Sequence, residues 1–96
     1  MQKEEYSPTK IEIERRNRIR VSVAAYAYEY TGHTIMSDSE FDDLCFDIDP
    51  SIDTGHEVLD EFFRTEFCDY TGSWIAAHPE LEKVKACYER VYINHN

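Results

Sequence analysis

Apolar residues in this chain recur three and four apart, and no stretch alternates strictly between apolar and polar side chains. That pattern restricts the fold to packed helices. The clearest case is Phe41, Leu44, Cys45 and Ile48, spaced as i, i+3, i+4, i+7. Ser37-x-x-Glu40 in front of them is a capping box, and Met36 with Phe41 can close a hydrophobic staple. Asp49-Pro50 ends this helix, because the residue before a proline avoids helical geometry. Upstream, Ser7 reads as an N-cap and Pro8 as the first helical residue, with Tyr6 and Ile11 as the staple. Ile19, Val23, Tyr26 and Tyr30 form one stripe, and Val21, Ala25 and Tyr28 a second beside it. A helix apolar over so wide an arc should be central to the core, and Gly32 is its expected left-handed stop. Thr54-x-x-Glu57 reads as another capping box, opening a helix that buries Val58, Leu59, Phe62 and Phe63. Residues 68–78 read as a connector with a helical turn around Trp74. Pro79 begins a last helix burying Leu81, Val84, Tyr88 and Val91. The expected architecture is all-α, one domain over 1–96 with helices near 8–30, 38–48, 55–67 and 79–92.

Ninety-six residues hold one modest core, since a chain of this size buries only about 60–65% of its unfolded surface. With 42% apolar and 14% aromatic residues it is too rich in core-forming side chains for a disordered chain. No apolar run approaches the roughly 20 residues a bilayer span needs. MQKEEYSPTK has no apolar core of the kind a secretory signal carries, so a cytoplasmic protein is expected. Three widely spaced cysteines, Cys45, Cys68 and Cys87, are an odd number without a C-x-x-C, and read as reduced thiols.

The net charge of −10 is unevenly placed. Residues 1–30 carry six basic and five acidic side chains, and residues 31–96 carry four basic and fifteen acidic ones. Nucleic-acid binding needs a basic footprint to displace counterions, so direct contact with nucleic acid is not expected. Arg15, Arg16, Arg18 and Arg20 make a basic collar, read first as a helix face paired with Glu12 and Glu14 and second as a phosphate contact at Arg16 and Arg20.

Within "IMSDSEFDDL", residues 35–44, four carboxylates surround Phe41. Glu40 belongs to the capping box. Asp38 and Asp42 share a face one turn apart, where mutual repulsion of about 0.2–0.5 kcal/mol is covered by about 0.3–1 kcal/mol per acid from the helix dipole. No ligand is needed to explain them. The alternation of Asp49, Ser51 and Asp53 with Asp60 fails as a calcium loop, because Gly55 stands one place late and Pro50 occupies the second position. Cys68, His78, Cys87 and His95 lack the spacing of a zinc site, so no metal is expected.

Joined to the preceding helix end, the acidic stretch reads "YAYEYTGHTIMSDSEFDDL", residues 26–44. This resembles the small N-terminal helical domain, called Ia, of NAD-dependent bacterial DNA ligases, in which a tyrosine-rich helix end and a short loop precede D-x-E-Y-D-x-L. The resemblance covers residues 19–48. In those ligases the domain grips the nicotinamide mononucleotide half of NAD. By that resemblance Tyr28, Asp38 and Asp42 match ligand-binding positions, Phe41 stands where the family has tyrosine, and Glu29 replaces an aromatic or histidine side chain. The resemblance implies possible ligands, nicotinamide mononucleotide or NAD, with the pyridinium against Phe41 or Tyr28 and the phosphate at the arginine collar. The lysine motif K-x-D-G of nucleotidyltransferases is absent from the sequence, so no enzyme activity is expected. A small stand-alone chain of this kind also resembles accessory proteins of phages. Because Glu29 departs from the family pattern, the expectation is a regulatory or protein-interaction module whose acidic surface meets a protein partner, such as a nucleic-acid enzyme. A nicotinamide-nucleotide binding module is the alternative.

Overall fold

A computed structural model describes residues 9–69 and 71–94. The described chain forms four α-helices and no strand: α1 (Lys10–Tyr26), α2 (Asp38–Asp47), α3 (Glu57–Thr65) and α4 (Leu81–Tyr88). A 3-10 turn at Ser73–Ala77 surrounds Trp74, as the sequence suggests. Two of the helices run on into π-helical turns, α1 through Ala27–Thr31 and α4 through Glu89–Ile93.

Local chemistry accounts for the ends. Ser7, Pro8 and Tyr6 lie outside the described residues. The described start of α1 is capped by Thr9, which accepts from the Glu12 N–H while the Glu12 carboxylate accepts from the Thr9 N–H. Ser37 and Glu40 form the expected box at α2. Gly32 takes the left-handed conformation, φ 73°, and its N–H donates to the Tyr28 carbonyl. α3 departs from expectation. Its N-cap is His56, whose Nδ1 accepts from the Leu59 N–H, and Thr54 turns inward instead. The Thr54 hydroxyl donates to Asp60 Oδ1 at 2.7 Å, a buried bond that outcompetes an exposed cap.

α1 is the central element, packing against α2, α4 and the Trp74 turn. Val21, Ala25 and Ala27 from α1 and its extension meet Leu44 and Cys45 of α2, Phe62 and Phe63 of α3, and Val84 and Tyr88 of α4. The burial of Ile19 and Val58 expected from periodicity does not hold, since both are more than half exposed. Val91 and Tyr30 are nearly half exposed as well. On α1 the reason is that Glu14 and Arg18, one turn apart, take the inward positions over this part of the helix, and Ile19 is rotated about 100° away from Arg18.

Among the described residues no helix is long and apolar enough to cross a membrane. No group of three or more His, Cys, Asp or Glu is placed to hold a metal ion there either. The alternating acids between Asp49 and Asp60 have partners within the fold. Asp49 caps Ser51, Asp53 accepts from the Gly55 N–H, and Asp60 pairs with Arg18.

Candidate functional site

The π-helical turn after α1 decides which way its side chains face. The Thr31 hydroxyl donates to the Ala27 carbonyl at 2.6 Å, and the His33 N–H donates to the same oxygen at 3.1 Å. Tyr26 and Tyr30 stack on each other, ring centroids 4.8 Å apart, and Tyr26 meets Tyr88 of α4. Tyr28 points the other way and is 60% exposed, so it does not join Val21 and Ala25 in the core as their common stripe suggests.

Tyr28 thereby reaches a cleft of about 230 Å³, whose lining includes Glu29, Asp38 and Phe41. Asp38 is the first residue of α2 and Phe41 follows one turn later, so a single capped helix start delivers both. Phe41 packs against the core along one side and lines the cleft with the other. Ala25 and Gly72 form part of the wall, and a methyl group added at Gly72 would sit 3.4 Å from the Ala25 Cβ and 3.7 Å from the Glu29 carboxylate. The cleft is therefore aromatic on two sides and carries two carboxylates. Its chemistry suits a cationic or polarised planar group.

The remaining sequence-based site residues stand elsewhere. Asp42 is exposed on α2 outside the cleft lining, on the side of Cys45. Burial, reinforced by the Asp42 charge, pushes the Cys45 thiol up to about 11. Arg16 is exposed and lines none of the described hollows, and Arg20 lines a different one. The phosphate contact expected at these two arginines is thus not part of the cleft. Arg20 stands eight positions before Tyr28, roughly 12 Å along a helix axis.

The hollow that Arg20 lines is a groove of about 510 Å³ between α1, α2 and the end of α4. Glu40, Asp43 and Asp47 line it from α2, with Ile19, Val23 and Val91 among its apolar residues. Their i, i+3, i+7 spacing is visible in the sequence, but the partner walls are not. Ile35 and Met36 line both the groove and the cleft, so the two hollows flank the start of α2.

No family model matches the chain, and no curated protein or solved structure shows significant similarity to it.

Proposed function

We propose that this chain is a non-catalytic interaction module that receives a basic, amphipathic segment of a partner protein along α2. The observation that carries this reading is the placement of carboxylates on both flanks of one helix beside exposed apolar side chains. Asp38 and Glu29 line the cleft on one flank. On the other, Glu40, Asp43 and Asp47 border a groove in which Ile19 is 57% and Val91 48% exposed. Exposed apolar surface whose rim carries three carboxylates against the one Arg20 guanidinium fits a partner with an apolar stripe and cationic edges. The net charge of −10 would speed the approach of such a partner at low salt.

Titration of the labelled protein with a lysine-rich amphipathic peptide, followed by NMR, tests this. Saturable shifts confined to α2, Ile19 and Val91 are expected, weakening as salt is raised. Shifts scattered over all acidic residues, or none at low salt, would reject the reading.

A second reading, a nicotinamide-nucleotide module, draws support from Tyr28, Asp38 and Phe41 sharing one cleft. Glu29 in the same cleft and the distance of Arg16 and Arg20 count against it. Titrating nicotinamide mononucleotide separates the two: shifts at Tyr28 and Phe41 that strengthen in Glu29→Gln would favour the nucleotide, and a silent cleft at millimolar ligand would remove it.

A further inference from the structure

A third hollow, distinct from the cleft and lying beside the groove, opens where α1, α3 and α4 diverge. It measures about 350 Å³, within the roughly 300–1,000 Å³ of small-molecule pockets, and spaces between the helices of bundles are among their usual places. Phe63 and Val84 form a buried apolar floor, and Ile19 and Leu59 give the walls their accessible apolar surface. His78 extends this surface rather than interrupting it. Its ring packs 5.0 Å from the Phe62 centroid and 6.4 Å from that of Phe63, and its Nδ1 accepts from the Glu80 N–H at 2.9 Å.

The mouth differs from the walls in charge. Arg15 of α1 and Lys83 of α4, both exposed, line it together with Glu80. Nη2 of Arg15 donates to the carbonyl of Thr54, another lining residue, which holds the guanidinium at the mouth without neutralising it. Among the described residues no carboxylate pairs with Arg15. Glu80 divides its single charge, with Oε2 lying 3.4 Å from His56 and 3.5 Å from Lys83. Lys83 is 79% exposed, and an ion pair so open to solvent holds it weakly. Arg18 also lines the hollow, but its charge is spent on Glu14 and Asp60.

Two cations against one carboxylate leave one positive charge at this mouth, a local reversal on a chain of net charge −10. A cationic ligand would be repelled there, and a neutral one would leave Arg15 unused. We infer that the hollow binds a monocarboxylic acid with an apolar body, an aryl-alkyl or medium-chain alkyl acid being the class that fits. The body lies along Ile19 and Leu59 over the floor of Phe63 and Val84. The carboxylate takes the guanidinium donors of Arg15 that Thr54 leaves free, a charge-assisted pairing of the kind arginine makes best.

Hydrocinnamate and hydrocinnamamide serve as probes, alike in shape and differing in charge. In methyl-labelled protein at pH 7, the acid should give saturable shifts at Leu59 with intermolecular NOEs to its methyl groups, and leave Val58 and Val91 unmoved. The amide should bind the same place roughly two- to tenfold more weakly. Arg15→Gln should bring the acid down to the affinity of the amide and leave the amide unchanged. Lys83→Glu should weaken the acid alone, by reversing a charge at the mouth without touching the bond between Arg15 and Thr54. The inference is overturned if the acid gives no NOE to Leu59, or if acid and amide bind the wild type alike. It is equally overturned if both variants weaken the two probes to the same degree.

Discussion

Arg18 ties the molecule together at a single side chain. Its Nε donates to Glu14 Oε2 at 2.6 Å and its Nη1 to Asp60 Oδ1 at 2.7 Å, while Nη2 reaches the carbonyls of Asp49 and Ile52. The guanidinium also lies 4.9 Å from the Phe63 ring centroid. One residue of α1 thus anchors α3 and the loop between α2 and α3. A buried ion pair is worth little against a well-packed apolar substitute, but removing one partner strands the others. Arg18→Met leaves Glu14 and Asp60 buried without their cation, and urea unfolding should show a loss of about 3–5 kcal/mol. Asp60 sets the acid limit of the same network. Burial alone would raise its pKa, but hydrogen bonds from Thr54 and Arg18 outweigh that and hold it at about 2. Since the folded value lies below the unfolded one, its stabilisation is complete above the unfolded pKa and is lost as pH falls through the folded value. Thermal stability should therefore decline between about pH 5 and pH 2 in the wild type, and decline less steeply over that window in Asp60→Asn.

At the level of the element, the helix ends show what could and could not be read in advance. Ser37 and Glu40 cap α2 as their spacing requires, because both partners sit within one turn. Thr54 has the same local signature and does something else, since Asp60 is held six residues on by Arg18, forty-two residues away from it in sequence. Four arginines in one collar look alike as letters, and only that distant carboxylate singles out Arg18. Of the five residues that the ligase resemblance groups, Tyr28, Glu29, Asp38 and Phe41 line one cleft because a short loop joins their two helix ends, whereas Asp42 lies outside it. A hollow walled by Ile19, Leu59 and Val84 has no such local signature, because those walls come from three helices. Gly32 fixes the loop entering the cleft. Its φ of 73° lies where side chains are strained, and nothing stands within 4 Å of an added Cβ. Gly32→Ala should then cost only backbone strain, about 1–2 kcal/mol by denaturant titration. Ser37→Ala should cost about 1 kcal/mol by loss of the cap. Of the two, Gly32→Ala should also shift the Tyr28 and Glu29 resonances.

Across the whole molecule, charge and packing pull against each other. A surplus of ten acidic side chains disfavours the compact state through self-repulsion, which salt screens over about 8 Å at physiological ionic strength. The buried Arg18 network is shielded from that effect, whereas the acids along the groove are not. Raising sodium chloride from low to physiological concentration should therefore raise the melting temperature while weakening any basic partner, opposite signs from one cause. The groove carboxylates connect the two effects. Asp43 and Asp47 are exposed on α2 and make no side-chain hydrogen bond or ion pair in the described structure, so replacing both by lysine removes repulsion without disturbing the core. The double variant Asp43→Lys, Asp47→Lys should unfold at the same or higher urea concentration than the wild type at low salt. It should also lose most of its affinity for the lysine-rich peptide, and that loss should shrink as salt is added. If the variant binds the peptide as the wild type does, the basic partner engages some other acidic face, and the groove beside Ile19 and Val91 does not dock it.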